Sequence, residues 1–283
     1  MDNIIERNFN NIRVIKTLEP GGQKEVFVVE HPQYGICVLK LIPLIKRDRV
    51  IREIEIIIKY KIKNVPQIFE NGDKIINGKQ YLYIFEEYIE GINLTAKILS
   101  ERKLSLLDTY KLIDSLLSIE EDLEYIKVVH RDIKPDNILV DKQGNYYLID
   151  FGIARALEME SLTMTGAVMG PHSVGYGAPE LFEYRKAEID VRADLFSIGV
   201  IGYESITGKH PFMDRENDNA ETVRYKTMTV MPEDIVIEGD TQQQFMGLIQ
   251  TLMKKQISKR PPTAKKAHEW LNALKDTLVF GGE

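Results

Sequence analysis

The order of hydrophobic and polar positions along the chain predicts strands first and helices later. Two short β-prone runs, residues 26–29 and 36–42, lie on either side of a turn signal at residues 31–35. Two further strand candidates, residues 67–69 and 80–85, flank a predicted turn at Asn71-Gly72-Asp73 and complete the strand-rich first part. The predicted sheet therefore lies in the first third of the chain.

Helical periodicity dominates the rest of the chain. Apolar residues recur at helical spacing in one early segment and in four later ones, namely residues 46–61, 105–126, 192–207, 241–255 and 263–278. Two short β-prone pieces, residues 138–140 and 146–149, interrupt the helical part. Strands followed by helices predict an α+β chain with two lobes, with the boundary near residues 87–93. We expect one domain over residues 1–283, with an N-lobe to about 87 and a C-lobe from about 94.

Composition narrows the class of protein. The 283 residues carry a formal net charge of −6 and a single cysteine, Cys37. The acidic balance disfavours a general nucleic-acid or anionic-membrane binder. A lone cysteine excludes an internal disulfide and suggests a reducing compartment. The first residues are charged where a signal peptide is apolar, and no apolar run reaches the roughly 20 residues of a membrane span. We therefore expect a cytoplasmic globular protein without a membrane segment or nucleic-acid partner, and leave its oligomeric state open.

The segment from His130 to Asn137 reads His-Arg-Asp-Ile-Lys-Pro-Asp-Asn. It is followed by Asp150-Phe151-Gly152 and later by Ala178-Pro179-Glu180. These motifs, in this order, resemble the eukaryotic-like (Hanks-type) serine/threonine protein kinases over nearly the whole chain. The resemblance implies a bilobal fold, with a small β-rich N-lobe containing one long helix and a larger, mainly helical C-lobe. It also implies ATP with Mg²⁺ (or Mn²⁺) as cofactors, a protein substrate with a serine or threonine acceptor, and autophosphorylation.

The residue types of this segment suit phosphoryl transfer, which needs positioning and cations more than covalent chemistry. Asp132 would accept the proton of the substrate hydroxyl, and Lys134 would direct a positive charge at the γ-phosphate. Asn137 and Asp150 would supply oxygen ligands for Mg²⁺, a hard ion. The alternative is an ordinary surface loop, since these residue types also favour turns, but a loop would not explain the other motifs. By resemblance, Lys134-Pro favours serine/threonine over tyrosine substrates.

Lys40 ends a β-prone run and matches the family lysine that contacts the α- and β-phosphates of ATP. Its helical partner would be Glu53. Glu55 is the rival, because positions i and i+2 of a helix do not share a face and only one of the two can face Lys40. The alternative is that Lys40 is a solvated lysine at the end of a strand, without a role in ATP binding.

The glycine-rich loop of the family is only partly present. Gly21 falls in a family glycine position, whereas Glu19 and Lys24 replace the first and third glycines. Glycine allows a close approach of backbone to phosphate. The replacements therefore alter part of the predicted phosphate-binding loop. Lys24 either restores phosphate affinity by its charge or is a solvent-facing turn residue.

The resemblance also implies an adenine site. Adenine would lie between Leu18, Val26 and Val38 on one side and Leu139 on the other. The backbone of the segment from Glu87 to Ile89 would bond the adenine edge, which brings a carboxylate, Glu86, to the gatekeeper position. Such a carboxylate could accept a hydrogen bond from the adenine amine or pair with Lys40, since a buried charge needs a partner. If the register is shifted by one, Phe85 is the gatekeeper instead.

The segment between Asp150 and Glu180 contains a possible switch. Arg131 precedes the catalytic aspartate, a pattern associated with kinases activated by loop phosphorylation. Because a phosphate takes bidentate arginine bonds well, phosphorylated Thr163 or Thr165 would dock on the arginine set Arg49, Arg131 and Arg155. The alternative is a hydroxyl-rich loop without a regulatory role. Ser173 matches a family residue that bonds the catalytic aspartate and lysine.

Structural positions match the family as well. Glu180 would form an ion pair with Arg260, and Asp194 would anchor the backbone of the catalytic loop from the start of a buried helix. Each could be an ordinary surface charge. Two competing functions remain open: a pseudokinase that binds nucleotide without turnover, and a small-molecule kinase, although the latter usually lacks the Ala-Pro-Glu segment.

Overall fold

The structure is a computed structural model that describes residues 2–9, 11–18, 24–43, 59–150, 175–182 and 189–281. The chain divides between residues 90 and 91 into two compact units, a division that lies within the predicted boundary at 87–93. The first unit is built on the strand-rich part of the chain and the second on the helical part, which is the α+β fold class that the sequence predicted. Among the described residues, no helix is both long and apolar enough to cross a membrane.

In the residues that the structure describes, the first unit contains an antiparallel sheet preceded by a helix. These elements are α1 (Asp2–Asn8), β1 (Arg13–Leu18), β2 (Glu25–His31), β3 (Gly35–Pro43), β4 (Ile68–Ile76) and β5 (Lys79–Glu87). The strand order is β1-β2-β3-β5-β4. Alternate residues of a strand point to opposite faces, and one face forms the core around Phe27, Leu39 and Phe85, joined by Ile5 and Phe9 from the α1 region. Val38 and Lys40 of β3 therefore point to the opposite face.

The predicted turn at Asn71-Gly72-Asp73 is wrong, because these residues lie within β4, where Gly72 pairs with Tyr83 of β5. The chain turns instead at Asn77-Gly78, both of which have positive φ, 50° and 75°. A two-residue hairpin turn of this kind requires positive φ at both positions, which asparagine and glycine provide at little cost. Gly72 allows the Tyr83 side chain to pack closely against the backbone of β4, since a Cβ at residue 72 would lie 2.8–2.9 Å from atoms of that side chain.

The second unit is mainly helical. Its strands β6 (Gly91–Asn93), β7 (Ile138–Asp141) and β8 (Tyr146–Leu148) form a small antiparallel sheet in that order. The helices described in it are α2 (Leu94–Glu101), α3 (Leu106–Tyr125), α4 (Pro179–Phe182), α5 (Val191–Thr207), α6 (Ala220–Thr229), α7 (Gln244–Leu252) and α8 (Ala264–Leu274). Short 3₁₀ turns lie at Pro135–Asn137, Ile257–Lys259 and Lys275–Thr277.

Helix α5 is the centre of this unit. All of its residues except Arg192 and Thr207 are buried, as expected for a helix that is apolar on every side. The Asp190 side chain caps its first turn, and Gly208 ends it at a φ of 73°, which is the usual left-handed helix end. Gly199 allows close packing, because a Cβ there would lie 2.8 Å from side-chain atoms of Leu252 and Met253.

The predicted helices at residues 105–126 and 192–207 are confirmed as α3 and α5, each with a polar N-cap residue. The predicted helix at 241–255 is too long, because the Asp240 carboxylate accepts hydrogen bonds from the N–H groups of Phe245 and Met246 and starts α7 at residue 244. The helix predicted at 263–278 ends at Leu274 and continues as a 3₁₀ turn. The helix predicted at 46–61 lies outside the described residues except for its end, where residues 59–60 are helical.

Candidate functional site

The backbone at the start of the loop formed by residues 130–137 is fixed by Asp194, from the first turn of α5. Its carboxylate accepts a hydrogen bond from the N–H of His130 at 2.7 Å and from the N–H of Arg131 at 2.8 Å. Asp194 is fully buried, and Arg131 has a φ of 65°, a conformation that a non-glycine residue adopts only when its surroundings stabilise it. The contact that the sequence predicted for Asp194 is therefore present.

Two side chains of the loop converge on the carboxylate of Asp132. The Asn137 Nδ2 donates to the backbone oxygen of Asp132 at 2.9 Å and to its Oδ2 at 3.1 Å. The Lys134 Nζ lies 3.4 Å from the same Oδ2. The Asp132 and Lys134 side chains are 17% and 14% exposed, so solvent screening of their interaction is reduced. The arrangement holds one carboxylate between a cation and an amide, both at hydrogen-bond or ion-pair range.

Asp150 is brought beside this group through the backbone. The N–H of Ile149, after β8, donates to the carbonyl oxygen of Asn137 at 2.8 Å. Asp150 follows directly with a φ of 62°. The nitrogen of the Asn137 amide donates to Asp132, and an amide oxygen can serve as a ligand for a cation. An amide oxygen and a carboxylate are the donor set that suits a hard divalent cation such as Mg²⁺, so these two residues fit the ion that the resemblance implies.

Helix α2 supports the same loop from the side. The Thr95 Oγ1 donates to Oδ1 of Asp136 at 2.8 Å. The turn at Pro135–Asn137 is closed by the bond from the Asn137 N–H to the Lys134 carbonyl, 2.9 Å. Asp136 is exposed, in contrast to the buried Asn137 beside it.

A second carboxyl group, which was not predicted from the sequence, lies behind the loop. Glu120 of α3 is fully buried, and within the described parts of the chain neither of its carboxyl oxygens has a hydrogen-bond partner. Burial, together with the nearby charges of Asp194 and Glu124, raises the pKa of Glu120 well above its ordinary value. Burial likewise raises the pKa of Asp194 to about 7, against the lowering effect of its two backbone hydrogen bonds. The sequence contains a signal for this burial, because Glu120 interrupts the apolar stripe of α3 one turn after Leu116.

In the first unit, Lys40 forms an ion pair with Glu86, with 2.5 Å between Nζ and Oε1. The two side chains are only 8% and 11% exposed. Glu86 lies on the face of the sheet that carries Lys40, whereas Phe85 belongs to the core of the opposite face. Of the two gatekeeper candidates, the structure brings Glu86, and not Phe85, to the lysine.

The predicted adenine-lining residues are described within their own units. Val26 lies opposite both Leu18 and Lys40 in the sheet, and Val38 lies opposite Glu86. All belong to the face that carries Lys40. In the second unit, Leu139 pairs with Asn93 and Tyr147 in the small sheet.

The predicted hinge begins at the last residue of β5. The N–H of Glu87 donates to the carbonyl of Gln67 at 2.8 Å, and the N–H of Gln67 donates to the Glu87 carboxylate at 3.2 Å. The Glu87 N–H is therefore engaged within the first unit, and only the carbonyl of Glu87 can serve the predicted adenine contact. Ile89 lies two residues further, before the first unit ends.

The Ala178-Pro179-Glu180 segment is tied to the end of the helical unit. Glu180 and Arg260 form the predicted ion pair, with Nη1 2.6 Å and Nη2 3.0 Å from the two carboxylate oxygens. Arg260 also donates to the carbonyls of Arg192 and Lys254. Both charged groups are buried.

A polar cluster next to this segment was not predicted from the sequence. The Tyr176 hydroxyl donates to Glu204 of α5 at 2.5 Å, and Arg215 donates to the same carboxylate at 2.6 Å. Glu204 is almost completely buried, so the cluster supplies the partners that such a charge requires. His210 packs edge-on against Tyr176 at 5.0 Å between ring centroids, and burial lowers its pKa to about 3.

Several predicted residues lie outside the described residues, and the structure does not bear on them. They are Gly21 and Glu19 of the glycine loop, Glu53 and Glu55, the phosphorylation candidates Thr163 and Thr165, the arginines Arg49 and Arg155, and Ser173. Lys24 is described, half-buried just before β2.

Comparison with known proteins gives one family. The sequence model described as "protein kinase domain" matches residues 17–271. The chain is 30% identical over 212 residues to the probable serine/threonine-protein kinase pknA2 of Bifidobacterium longum, an overlap of 75% of this chain and 27% of that protein. It is 34% identical over 149 residues to the serine/threonine-protein kinase PrkC of Bacillus subtilis, 53% of this chain and 22% of that protein. It is 31% identical over 169 residues to PknA of Mycobacterium tuberculosis, 59% of this chain and 38% of that protein. The chain thus spans less than half the length of these relatives.

Proposed function

The chain belongs to the protein kinase domain family, and from this premise we propose that it transfers the γ-phosphoryl group of ATP to serine or threonine hydroxyls of proteins, itself included. The observation that carries the proposal is the convergence of Lys134 and Asn137 on the Asp132 carboxylate, each within 3.4 Å of it. The names of the relatives support the choice of acceptor.

In the proposed reaction, Asp132 accepts a hydrogen bond from the acceptor hydroxyl and takes its proton as the oxygen bonds to the γ-phosphorus. The bond from that phosphorus to the bridging oxygen breaks, and ADP leaves. Lys134 places a positive charge beside the transferred group, where its charge counters the negative charge of the phosphoryl oxygens. The contact of Asn137 with Asp132 keeps the carboxylate oriented for this role.

We propose Mg²⁺ as the divalent ion, with Asn137 and Asp150 as the residues that would hold it. When bound, the ion neutralises phosphate charge. Lys40 would contact the α- and β-phosphates. Adenine would be bordered by the apolar set Leu18, Val26, Val38 and Leu139, with backbone groups of Glu87 and Ile89 at its edge. An ATP-dependent reaction and a single, buried cysteine suit a cytoplasmic location.

The test is a transfer assay with purified protein, Mg²⁺ and ATP labelled at the γ-phosphate, using a generic basic protein as acceptor. Asp132→Asn should lower the rate by about 10²- to 10⁴-fold, the usual contribution of a general base. Asp136→Asn, in the same loop but exposed, is the matched control and should retain activity. Acid hydrolysis of the labelled product should release phosphoserine or phosphothreonine.

Other results would identify the competing functions. Tight ATP binding without turnover by the wild-type protein would indicate a pseudokinase. Turnover of small alcohols without labelling of any protein would indicate a small-molecule kinase.

We also propose that phosphorylation of Thr163 or Thr165 activates the enzyme by docking on Arg49, Arg131 and Arg155. A phosphate adds close to two negative charges, which a cluster of arginines can bind in bidentate fashion. If the Thr163→Ala/Thr165→Ala protein, after phosphatase treatment, keeps the full activity of wild type that has not been treated with phosphatase, this switch does not exist. Ser173 is proposed to help position the acceptor near Asp132.

A further inference from the structure

The ion pair between Lys40 and Glu86 is built into the sheet. Strands β3 and β5 are antiparallel neighbours in which Val38 lies opposite Glu86 and Lys40 lies opposite Ile84. Lys40 and Glu86 are therefore diagonal neighbours on one face, a separation that long side chains can bridge. The observed 2.5 Å between Nζ and Oε1 follows from the register of two long, paired strands.

A buried ion pair at this position needs an explanation other than stability. Removing two charges from water costs about as much as their attraction returns, and well-packed apolar residues often do as well or better. The residues around the pair on this face, such as Val26, Val38 and Ile84, are apolar and buried, so an apolar side chain at position 86 would have suitable neighbours. A carboxylate here is thus better explained by what it does to the lysine.

We propose that Glu86 is a positioning residue for the phosphate-binding lysine, a role that rests on the proposed kinase function. An ammonium group has three N–H donors, so Lys40 can donate to Glu86 and still donate to phosphate oxygens. Glu86 sets the direction of the ammonium from the sheet itself. The lysine is thereby oriented through a strand register, in addition to any orientation that a helical glutamate such as Glu53 supplies.

This role differs from the other one open to Glu86, a direct contact with the adenine amine. A positioning residue acts through Lys40 on the phosphates, so its loss should weaken the binding of phosphorylated nucleotides and spare adenosine, which has no phosphate. An adenine contact should affect ATP and adenosine alike. Comparing the two ligands separates the roles without requiring turnover.

The experiment measures ATP and adenosine dissociation constants by calorimetry for wild type, Glu86→Gln and Glu86→Met. Both substitutions keep the side-chain length, and methionine is included in case the amide disturbs folding, which is checked by thermal unfolding. We expect Glu86→Gln to weaken ATP binding about tenfold, or about 1.4 kcal/mol, with adenosine changed less than about twofold. Glu30→Gln, an exposed ion-pair glutamate of the same sheet, is the matched control and should leave both constants unchanged.

A second arm tests whether Glu86 acts through the lysine. In a Lys40→Met background, Glu86→Gln should have no further effect on ATP affinity. The proposal is overturned if ATP and adenosine are weakened equally, if ATP affinity is unchanged or rises, or if the effect persists without Lys40. Failure of the kinase function has a different signature, namely no phosphoryl transfer by the wild-type protein, whatever these binding constants are.

Discussion

Arg260 meets Glu180 with both terminal nitrogens of its guanidinium, one on each carboxylate oxygen, at 2.6 and 3.0 Å. The side chains of the pair are 0% and 2% exposed. A bidentate ion pair of this kind is among the stronger polar contacts in proteins. It joins the Ala178-Pro179-Glu180 segment to the loop before α8, so two distant parts of the second unit are held by one contact.

Glu180→Gln should therefore destabilise the protein strongly. The substitution leaves the Arg260 charge buried without its counter-charge, a loss of about 3–5 kcal/mol. Urea unfolding followed by circular dichroism measures it. Glu269→Gln removes the acidic partner of an exposed pair with Lys266 and is the control, for which we expect almost no change, since exposed pairs contribute little. Equal effects of the two substitutions would contradict the assigned role of the buried pair.

Asp194→Asn should lower kcat, because it disturbs the backbone directly before Asp132. The two carboxylate oxygens of Asp194 each accept one backbone N–H, from His130 and Arg131, whereas an amide offers only one oxygen. One N–H of the catalytic loop would then face an NH₂ group, a loss of about 1–3 kcal/mol in local order. We expect kcat to fall at least about tenfold with little change in the KM for ATP, since the disturbed backbone precedes Asp132.

Asp190→Asn is the matched control for this prediction. Asp190 caps the same helix one turn earlier and bonds the N–H of Arg192. Asparagine is also a good N-cap residue, so this variant should keep wild-type kcat. If Asp194→Asn is folded and has a normal kcat, the loop holds its conformation without the two hydrogen bonds to Asp194. That result would contradict the prediction.

Glu120 should make stability decrease with rising pH. Its pKa and that of Asp194 are raised by burial in the folded protein. The folded protein therefore favours their protonated forms, and this contribution is fully present below the ordinary carboxyl pKa of about 4. This contribution to stability is lost as the pH rises through the pKa values of the two groups in the folded protein. For Asp194 that pKa is about 7. One such proton corresponds to a slope of at most about 1.4 kcal/mol per pH unit.

Glu120→Gln removes one of the two groups and should flatten this decline. The difference in unfolding free energy between variant and wild type should grow in favour of the variant from about pH 4 upward. Other carboxylates, such as Asp190 and Asp218, have lowered pKa values and also make stability depend on pH. Their contribution is the same in both proteins and cancels in the difference. Urea unfolding at several pH values measures it. Parallel curves for the two proteins would mean that Glu120 does not titrate abnormally.

The sequence predicted the second unit well because its signals are local. The catalytic segment is a continuous run, and α3 and α5 carry both helical periodicity and polar caps. The anchor by Asp194 and the Glu180–Arg260 pair could be predicted only through resemblance, since each joins residues far apart in the chain. Glu120 was missed because a glutamate in a helix is usually assigned to the solvent face.

The first unit was harder to predict, since strand pairing is not local. The sequence contains two Asn-Gly pairs, at 71–72 and 77–78, which both have the residue types of a hairpin turn, and only the first was predicted to be one. The face of Glu86 was likewise open, because a shift of one residue sends every side chain of a strand to the other face. The structure decides both through the same strand, β5, whose register with β4 and β3 puts Gly72 against Tyr83 and Glu86 beside Lys40.

Substitutions at the two glycines should reveal their different roles. Gly78 has a φ of 75°, and a Cβ added there would meet no other atom within 4 Å, so the only cost is backbone strain. Asparagine tolerates this conformation better than alanine. Gly78→Asn should therefore cost less than Gly78→Ala, which should lose about 1–2 kcal/mol. At Gly72 a Cβ would meet the Tyr83 ring, a ring whose hydroxyl is tied to Glu70 at 2.8 Å.

Overpacking of this kind costs about 1–3 kcal/mol, and a larger side chain makes it worse. Gly72→Asn should therefore be more destabilising than Gly72→Ala, the reverse of the order at Gly78. Thermal and urea unfolding of the four variants test the reversal, with Gly35→Asn as a control, since Gly35 is also an open turn position of positive φ. The same order of asparagine and alanine at both sites would contradict the hairpin assignment. It would also remove the basis for the β4–β5 register, since that register depends on the chain turning at Gly78 and not at Gly72.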